Sequence, residues 1–107
     1  MLEYKNLCEH AKEQFGIDIR RDKSRRDTAV RVRHSIATLL STKYGYTVTE
    51  VGDAVGVDHT TIVYCRSMHV PRYQSDKQYA KVYDTLDRLE PTDQSLQEII
   101  NLIKNIP

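Results

Sequence analysis

Apolar residues recur along this chain at intervals of three and four positions, which is the spacing of one face of an α-helix. The first stripe, which ends just before Gly16, consists of Tyr4, Leu7, Cys8, Ala11 and Phe15. The second runs from about Ser24 to Tyr44, with Gly45 at its end, and contains Ala29, Val32, Ile36, Leu39 and Leu40. Glycine readily adopts the left-handed conformation that ends many helices, so each stripe predicts one helix. No useful length alternates apolar and polar residues, and the pattern therefore predicts an all-α fold.

A third, shorter helix is predicted to begin at Thr47, because Thr47 and Glu50 have the spacing of a capping box. Its inward side consists of Val48, Val51 and Val55. Gly52 is small and permits the close approach of another helix, and Gly56 tolerates the positive φ that a tight turn needs. The third helix is therefore predicted to end in a tight turn at Gly56.

Asp58 is well suited to cap a fourth helix, and Pro71 is predicted to end that helix because proline lacks the backbone donor. The third and fourth helices together have the pattern of a helix-turn-helix at about residues 47–69. A fifth helix is predicted at about residues 75–89, with an apolar side formed by Tyr79, Val82, Tyr83, Leu86 and Leu89. An additional C-terminal helix is predicted at about residues 92–106, with a stripe formed by Leu96, Ile99, Ile100 and Ile103.

The chain has 107 residues, of which 39% are apolar and 29% charged, as in a single soluble globular domain spanning residues 1–107. No apolar run approaches the ~20 residues that cross a bilayer, and the N-terminus lacks a basic start followed by an apolar block. We therefore expect a cytoplasmic protein without membrane contact. The two cysteines, Cys8 and Cys65, are too few and too far apart for a disulfide framework and are predicted to be reduced thiols.

Positive charge is concentrated in residues 20–33, here called the basic segment, which carries seven arginines and lysines against two aspartates. The net charge of this segment is +5, although that of the whole chain is +1. Within the segment, Asp27 and Arg31 stand four positions apart and are predicted to pair on the outer face of the helix. A run of charge alone is as often a solvated surface as a binding site. Next to a helix-turn-helix pattern, however, it indicates a footprint for DNA phosphates.

Four consecutive residues with hydrogen-bonding side chains open the predicted fourth helix, namely Asp58, His59, Thr60 and Thr61. On a helix, Ile62 and Cys65 can anchor this polar tip (residues 58–61) to the core while His59 and Thr60 project outward. Threonine offers a hydroxyl group and a methyl group, histidine can donate to a purine N7, and aspartate can accept from a cytosine amino group. Asp58 can equally be only a cap, and the threonines only surface residues. Taken together, the four indicate base reading in the major groove of duplex DNA.

The motifs in this region resemble those of a known family. The third helix contains EVGDA at residues 50–54, and the fourth begins with DHTTI at residues 58–62. Upstream, residues 23–34 read KSRRDTAVRVRH. Over roughly residues 2–90 the chain resembles the C-terminal DNA-binding domain (domain IV) of the bacterial replication initiator DnaA. The resemblance implies a small all-α bundle that contains a helix-turn-helix, similar to Trp repressor.

The resemblance also implies roles for individual residues. Arg25 matches an arginine that enters the minor groove, and Arg33 matches one that reads guanine in the major groove. The residues that match the family's signature for bases and nearby phosphates are Asp58, His59, Thr60 and Thr61. Those that match a loop and helix start on the phosphate backbone are Thr47, Val48 and Thr49. Lys43 is expected to supply a further backbone contact in place of a family base.

The sequence departs from the family pattern in its turn, which is one residue shorter, and at Val32, which replaces a frequent proline. These changes are expected to alter the recognised DNA sequence more than DNA binding itself. The chain has no G-x-x-x-x-G-K-[ST] phosphate loop, so neither nucleotide binding nor an ATPase domain is expected. We expect a small stand-alone protein that acts in replication initiation, its regulation or transcription, encoded by a phage or another mobile element.

Two other classes of protein fit parts of the sequence. A protein–protein module could keep this fold and modulate a replication initiator without reading DNA, and the predicted C-terminal helix could bind a partner or a second copy. Pairs of metal-ligand types occur at Cys65 and His69 and at Cys8 and His10, but a metal site needs three or four converging ligands. No nucleophile with an adjacent base is evident, so no enzyme, metal or cofactor is expected.

Overall fold

The computed structural model describes residues 1–89, which form five α-helices and no strand. These are α1 (Leu2–Phe15), α2 (Asp27–Thr42), α3 (Val48–Val55), α4 (His59–Ser75) and α5 (Lys77–Asp87). The all-α prediction is therefore confirmed for this part of the chain. The helix predicted at residues 92–106 lies outside the described residues.

α2 is the central helix, and the other four helices all pack against it. Its predicted inward stripe is confirmed, because five of five residues are buried: Ala29, Val32, Ile36, Leu39 and Leu40. Every side chain of residues 34–41 is buried, since neighbouring helices cover α2 on several sides. Burying one Leu, Ile or Val side chain contributes about 1.5–3 kcal/mol, so the fold depends strongly on this one helix.

The ends of α1 and α3 are as predicted. α1 ends at Gly16 with φ 71°, and α3 ends at Gly56 with φ 83°. The capping box at the start of α3 is complete, because Glu50 N donates to Thr47 Oγ1 and Thr47 N donates to Glu50 Oε1, each over 3.1 Å. These boundaries depend on residues within one helical turn, which explains why the sequence predicts them.

α2 is shorter than predicted at its N-terminal end, where it begins at Asp27 and not near Ser24. The amide of Ser24 donates to the carboxylate of Asp22 over 2.9 Å, and the backbone of Arg26 is extended. An aspartate that binds an amide two residues ahead stabilises a turn instead of a helix. The residues before Asp27 therefore form a loop, and this loop carries much of the basic segment.

Pro71 does not end the fourth helix, contrary to the prediction, and α4 continues through it to Ser75. An internal proline forfeits one backbone hydrogen bond and disfavours a helix by ~3 kcal/mol or more. Contacts beyond the proline offset that cost. Arg72 donates to His34 of α2 over 2.7 Å, and Tyr73 donates to the carboxylate of Asp84 in α5 over 2.9 Å. The last turn of α4 stays helical because α2 and α5 hold it.

Arg31 does not pair with Asp27 as predicted but with Asp76, which caps the start of α5. Arg31 Nε lies 3.0 Å from Asp76 Oδ2, while Asp76 Oδ1 accepts from the amides of Gln78 and Tyr79. The hydrogen bond from Arg31 and the amide bonds keep the pKa of Asp76 below its ordinary value. Arg31 thus pairs with a capping carboxylate that tertiary packing holds in place, and not with a neighbour on its own exposed helix face.

His34 joins α2 to α4 from inside the core. Arg72 Nη1 donates to His34 Nδ1, so the other ring nitrogen, Nε2, carries the proton and donates to the carbonyl of Cys65 over 2.7 Å. Burial lowers the pKa of His34 below its ordinary value. The ring also meets Tyr79 of α5 edge-on, with centroids 5.1 Å apart. A neutral histidine therefore sets the position of α4 along α2.

Candidate nucleic-acid interface

The turn between α3 and α4 lies against Gly52 of α3. The turn between them folds back on this residue, because the amides of Gly56 and Val57 both donate to the Gly52 carbonyl, over 2.8 and 2.9 Å. A Cβ atom on Gly52 would lie only 2.7 Å from the Val57 carbonyl oxygen and 3.3 Å from the amide nitrogen of His59. The small residue predicted to permit close approach thus fixes where α4 begins.

Asp58 caps α4, as predicted, and also orders the side chains beside it. Its Oδ1 atom accepts from the amide of Thr60 (2.9 Å) and from the Thr60 hydroxyl (3.0 Å), and it lies 3.1 Å from His59 Nδ1. The hydrogen bonds from Thr60 hold the pKa of Asp58 below its ordinary value. Asp58 therefore carries a negative charge that serves its own helix.

The polar tip is exposed, and the residues behind it are buried. His59 has 58% of its side chain exposed, and Thr60 and Thr61 are also exposed, whereas Ile62 and Cys65 are buried in the core. Burial also raises the pKa of the Cys65 thiol, which keeps it protonated. This division matches the predicted anchoring. It leaves the first turn of α4, with its partial positive charge, open to an anion or a groove.

Arg33 lies beside this tip, although it belongs to another helix. Arg33 and Thr61 line the same concavity, of about 210 Å³, between α2, α3 and α4. Val57 and Tyr64 line it as well, and Tyr64 is 53% exposed. Sequence reasoning missed Tyr64, although its place one turn after Thr61 on α4 gives it a similar direction. The structure thus brings together one end of the basic segment and the start of α4.

Several cations of the basic segment are paired with carboxylates of the same chain. Three arginines form ion pairs with carboxylates, namely Arg20 with Asp18 (2.8 Å), Arg26 with Asp22 (3.1 Å) and Arg31 with Asp76 (3.0 Å). By contrast, Arg21, Lys23 and Arg25 are exposed and form no ion pair within residues 1–89. The exposed positive charge of the segment is therefore carried mainly by these three side chains. Only Arg25 among them was predicted from the sequence as an individual DNA contact.

Lys43 lies apart from these residues, at the opposite end of α2. Its Nζ atom donates to the carbonyl of Asp87 over 2.6 Å and lies 2.9 Å from the Asp87 carboxylate. Ten residues of helix separate it from Arg33, a distance of about 15 Å. The structure thus uses Lys43 to join α2 to α5, and its predicted role on the DNA backbone stays a prediction.

The start of α3 offers a smaller exposed surface. The Thr47 hydroxyl and backbone amide are both used in the capping box, and Val48 is half-buried against the core. Thr49 is exposed. Of the three residues predicted to hold the phosphate backbone here, Thr49 has the side chain most open to a partner.

Among residues 1–89 there is no group of three or more histidine, cysteine, aspartate or glutamate side chains that could hold a metal ion. Over the same range, no helix combines the length and the apolar character that a membrane span requires. No protein family, curated protein or solved structure matches the chain. The resemblance to the DnaA DNA-binding domain therefore stays a prediction that depends on the motifs themselves.

Proposed function

We propose that this protein binds double-stranded DNA, with α3 and α4 acting as a helix-turn-helix and the polar tip of α4 entering the major groove. The observation that carries this proposal is the shared concavity, which is lined by both Arg33 of the basic segment and Thr61 of the exposed tip. One contiguous surface therefore offers hydrogen-bonding side chains on a helix end and positive charge next to it. Major-groove readers of the helix-turn-helix class use this combination.

The tip is ordered before any partner arrives, which favours specific recognition. Asp58 holds both Thr60 and His59 through a single carboxylate oxygen. Side chains that are already held lose less conformational entropy on binding. A threonine hydroxyl can bind a base or a phosphate, its methyl group can contact thymine, and histidine can donate to a purine N7.

The unpaired cations of the basic segment would supply affinity that does not depend on sequence. Arg25, which the resemblance assigns to the minor groove, is exposed together with Arg21 and Lys23. Each phosphate that a cation neutralises releases counterions, so binding weakens as salt rises. We propose that these three side chains follow the DNA backbone and the adjacent minor groove while the tip reads bases.

The biological setting that we propose is replication initiation, its regulation or transcription. It depends on the EVGDA and DHTTI motifs and on their resemblance to the replication initiator. A second candidate, a module that binds a protein partner, is favoured by one observation. Val63 and Val70 are about half exposed and stand seven residues apart, on one side of α4. Such a stripe is typical of a helix that meets another protein.

A selection from random duplexes followed by gel-shift assays tests the proposed function. The double variant His59→Ala/Thr60→Ala should weaken binding to the selected duplex by about 30-fold or more, since it removes two base contacts, good base contacts are each worth ~1–3 kcal/mol, and ~1.4 kcal/mol is tenfold. Gln74→Ala, an exposed change near the other end of α4, is the matched control and should leave binding unchanged. Absence of duplex binding at low salt would contradict DNA binding and favour the protein-partner function.

A further inference from the structure

The loop of residues 20–26, here called the basic loop, carries the exposed cations. Along this loop, side chains that bond to one another alternate with exposed side chains that have no ion pair. The Asp22 carboxylate accepts from the amide of Ser24 (2.9 Å) and from Arg26 Nη2 (3.1 Å), and the Ser24 hydroxyl lies 3.4 Å from Arg26 Nε. The side chains at positions 22, 24 and 26 are thus tied to one another. Those at positions 21, 23 and 25 are the exposed cations without an ion pair in the described chain. The bonded and the exposed side chains therefore alternate from residue 21 to residue 26.

Arg33 holds this loop from the side of α2. Its Nη2 atom donates to the carbonyl of Asp22 over 3.0 Å and to the carbonyl of Ser24 over 3.4 Å. Both carbonyls belong to residues of the internally bonded set. Hydrogen bonds from a charged donor are among the stronger ones in proteins, and here they join positions 11 and 9 residues apart. Arg33 therefore links the basic loop to the central helix of the fold.

We infer that Arg33 is a positioning residue for DNA binding: it fixes the basic loop so that Arg21, Lys23 and Arg25 face the phosphates of the duplex. This inference rests on the proposed function and refines it. The partners of Arg33 are neutral carbonyls, so its own charge is not cancelled by a carboxylate and adds to the field of the loop. The ligand of the loop is a row of phosphates, which a cation can meet without reading sequence.

This role differs from the one that the resemblance implies for Arg33. A guanidinium that reads guanine presents two N–H groups to O6 and N7 of the base. Arg33 Nη2 is already shared between two carbonyls. A bidentate contact also uses an N–H of Nη2, so Arg33 must release at least one carbonyl to read guanine in this way. The two roles therefore predict different losses of affinity. If Arg33 positions the loop, its loss weakens binding to preferred and random DNA alike, and lysine can replace it. If Arg33 reads guanine, the loss is confined to the preferred sequence, and lysine cannot replace it.

The test uses Arg33→Ala and Arg33→Lys in the full chain. Hydrogen exchange of the Ser24 amide in the free protein reports the order of the loop, and gel shifts report affinity for the selected duplex and for a random one. Lysine has three donors that can reach carbonyls, but it lacks the planar fork that binds guanine in a bidentate way. Arg33→Lys therefore separates positioning from base reading. If Arg33→Ala lowers helix content, Arg33→Met keeps the aliphatic stem and takes its place.

In Arg33→Ala we expect the Ser24 amide to exchange faster by about tenfold, as for the loss of a charge-assisted hydrogen bond. Affinity for the selected and the random duplex should fall by the same factor, and Arg33→Lys should restore most of both. The change Arg25→Ala should matter less in the Arg33→Ala background than in the native chain, because Arg25 is then no longer held in place.

Unchanged exchange of the Ser24 amide in Arg33→Ala would overturn the inference. A loss confined to the selected duplex, with no rescue by lysine, would overturn it in favour of base reading. If the native chain binds neither duplex, the proposed function fails and the positioning role in DNA binding fails with it. If the native chain binds DNA but the Ser24 amide exchanges at an unchanged rate in Arg33→Ala, only the positioning role is contradicted and the proposed function stands.

Discussion

Two cations of the α2 region make the same kind of contact with opposite electrostatic results. Arg33, in the N-terminal half of the helix, and Lys43, just after its end, each donate to backbone carbonyls of a neighbouring segment. Lys43 also meets the carboxylate of Asp87 at 2.9 Å, whereas both partners of Arg33 are neutral. The charge of Lys43 is therefore compensated locally, and that of Arg33 adds to the basic loop.

This difference shows why a count of basic residues does not locate a binding surface. Both cations are predicted DNA contacts. What separates them is the element that folds against each one. The start of α4, whose polar tip is exposed, lies against the Arg33 end, while the C-terminal end of α5 lies against Lys43.

Gly52→Val should disrupt the Arg33 end of the molecule. A Cβ at this position would lie 2.7 Å from a backbone oxygen of the turn, and neither helix can yield without moving the start of α4. We expect a loss of stability of about 1–3 kcal/mol or more, as for other overpacked sites, together with loss of DNA binding. Melting temperature and gel shift measure the two effects. Asp53→Ala, an exposed change on the same helix, is the control, and equal melting temperatures for the two variants would refute the role of Gly52.

His34→Ala should cost about 1–3 kcal/mol, because it leaves the Cys65 carbonyl and the Arg72 guanidinium without their buried partner. In the native chain, burial lowers the pKa of His34 in the folded state. The unfolded chain therefore binds a proton more readily, and stability is complete above pH ~6.5 and declines as the pH falls below that value. Urea unfolding between pH 5 and 8 measures this slope.

Two matched variants test whether His34 causes this dependence of stability on pH. His34→Ala should reduce the slope, whereas Thr85→Ala, which removes no titratable group, should leave it unchanged. His69, whose pKa burial also lowers, contributes to the remainder. A slope that is the same in His34→Ala as in the native chain would show that the contact between His34 and Arg72 does not depend on the neutral ring.

Arg25→Ala should weaken binding to selected and random duplexes, and it should reduce the slope of log affinity against log salt by about 1, as for one lost phosphate contact. Thr85→Ala, on α5 away from the basic loop, is the control and should leave the slope unaltered. If Arg25 enters the minor groove, the loss should be larger on duplexes with an A·T-rich flank, because a narrow minor groove has the stronger negative potential. A slope equal to that of the native chain would remove Arg25 from the interface.

Lys43→Ala should have the smallest effect and should act on stability. The pair with Asp87 is partly exposed on both sides, and such pairs contribute about 0–1 kcal/mol. We expect Asp87→Asn to cost a similar amount and the double variant to cost no more than either change. DNA affinity measured in the same buffer should not change. If Lys43→Ala alone clearly lowers the affinity for DNA, Lys43 contacts DNA as the sequence predicts.

Local features of the fold were predictable because their causes lie within one or two turns of helix. The capping box of Thr47 and Glu50, the left-handed Gly56 and the cap at Asp58 all follow from neighbouring residues. The inward stripe of α2 follows from periodicity alone. Pro71 and the pair of Asp27 and Arg31 were predicted wrongly from local rules of the same kind. In both cases a distant element, α2 or α5, supplies a contact that outweighs the local preference.

Periodicity and capping are local, so the order of the amino acids is enough to specify the helical class, the ends of α1 and α3 and the polar character of the tip at residues 58–61. Which cations stay unpaired depends on packing, since the carboxylates and carbonyls that engage Arg31, Arg33 and Lys43 lie between 9 and 45 residues away. Electrostatic partners are set by proximity in space, and the chain order does not specify that proximity until the helices pack around α2.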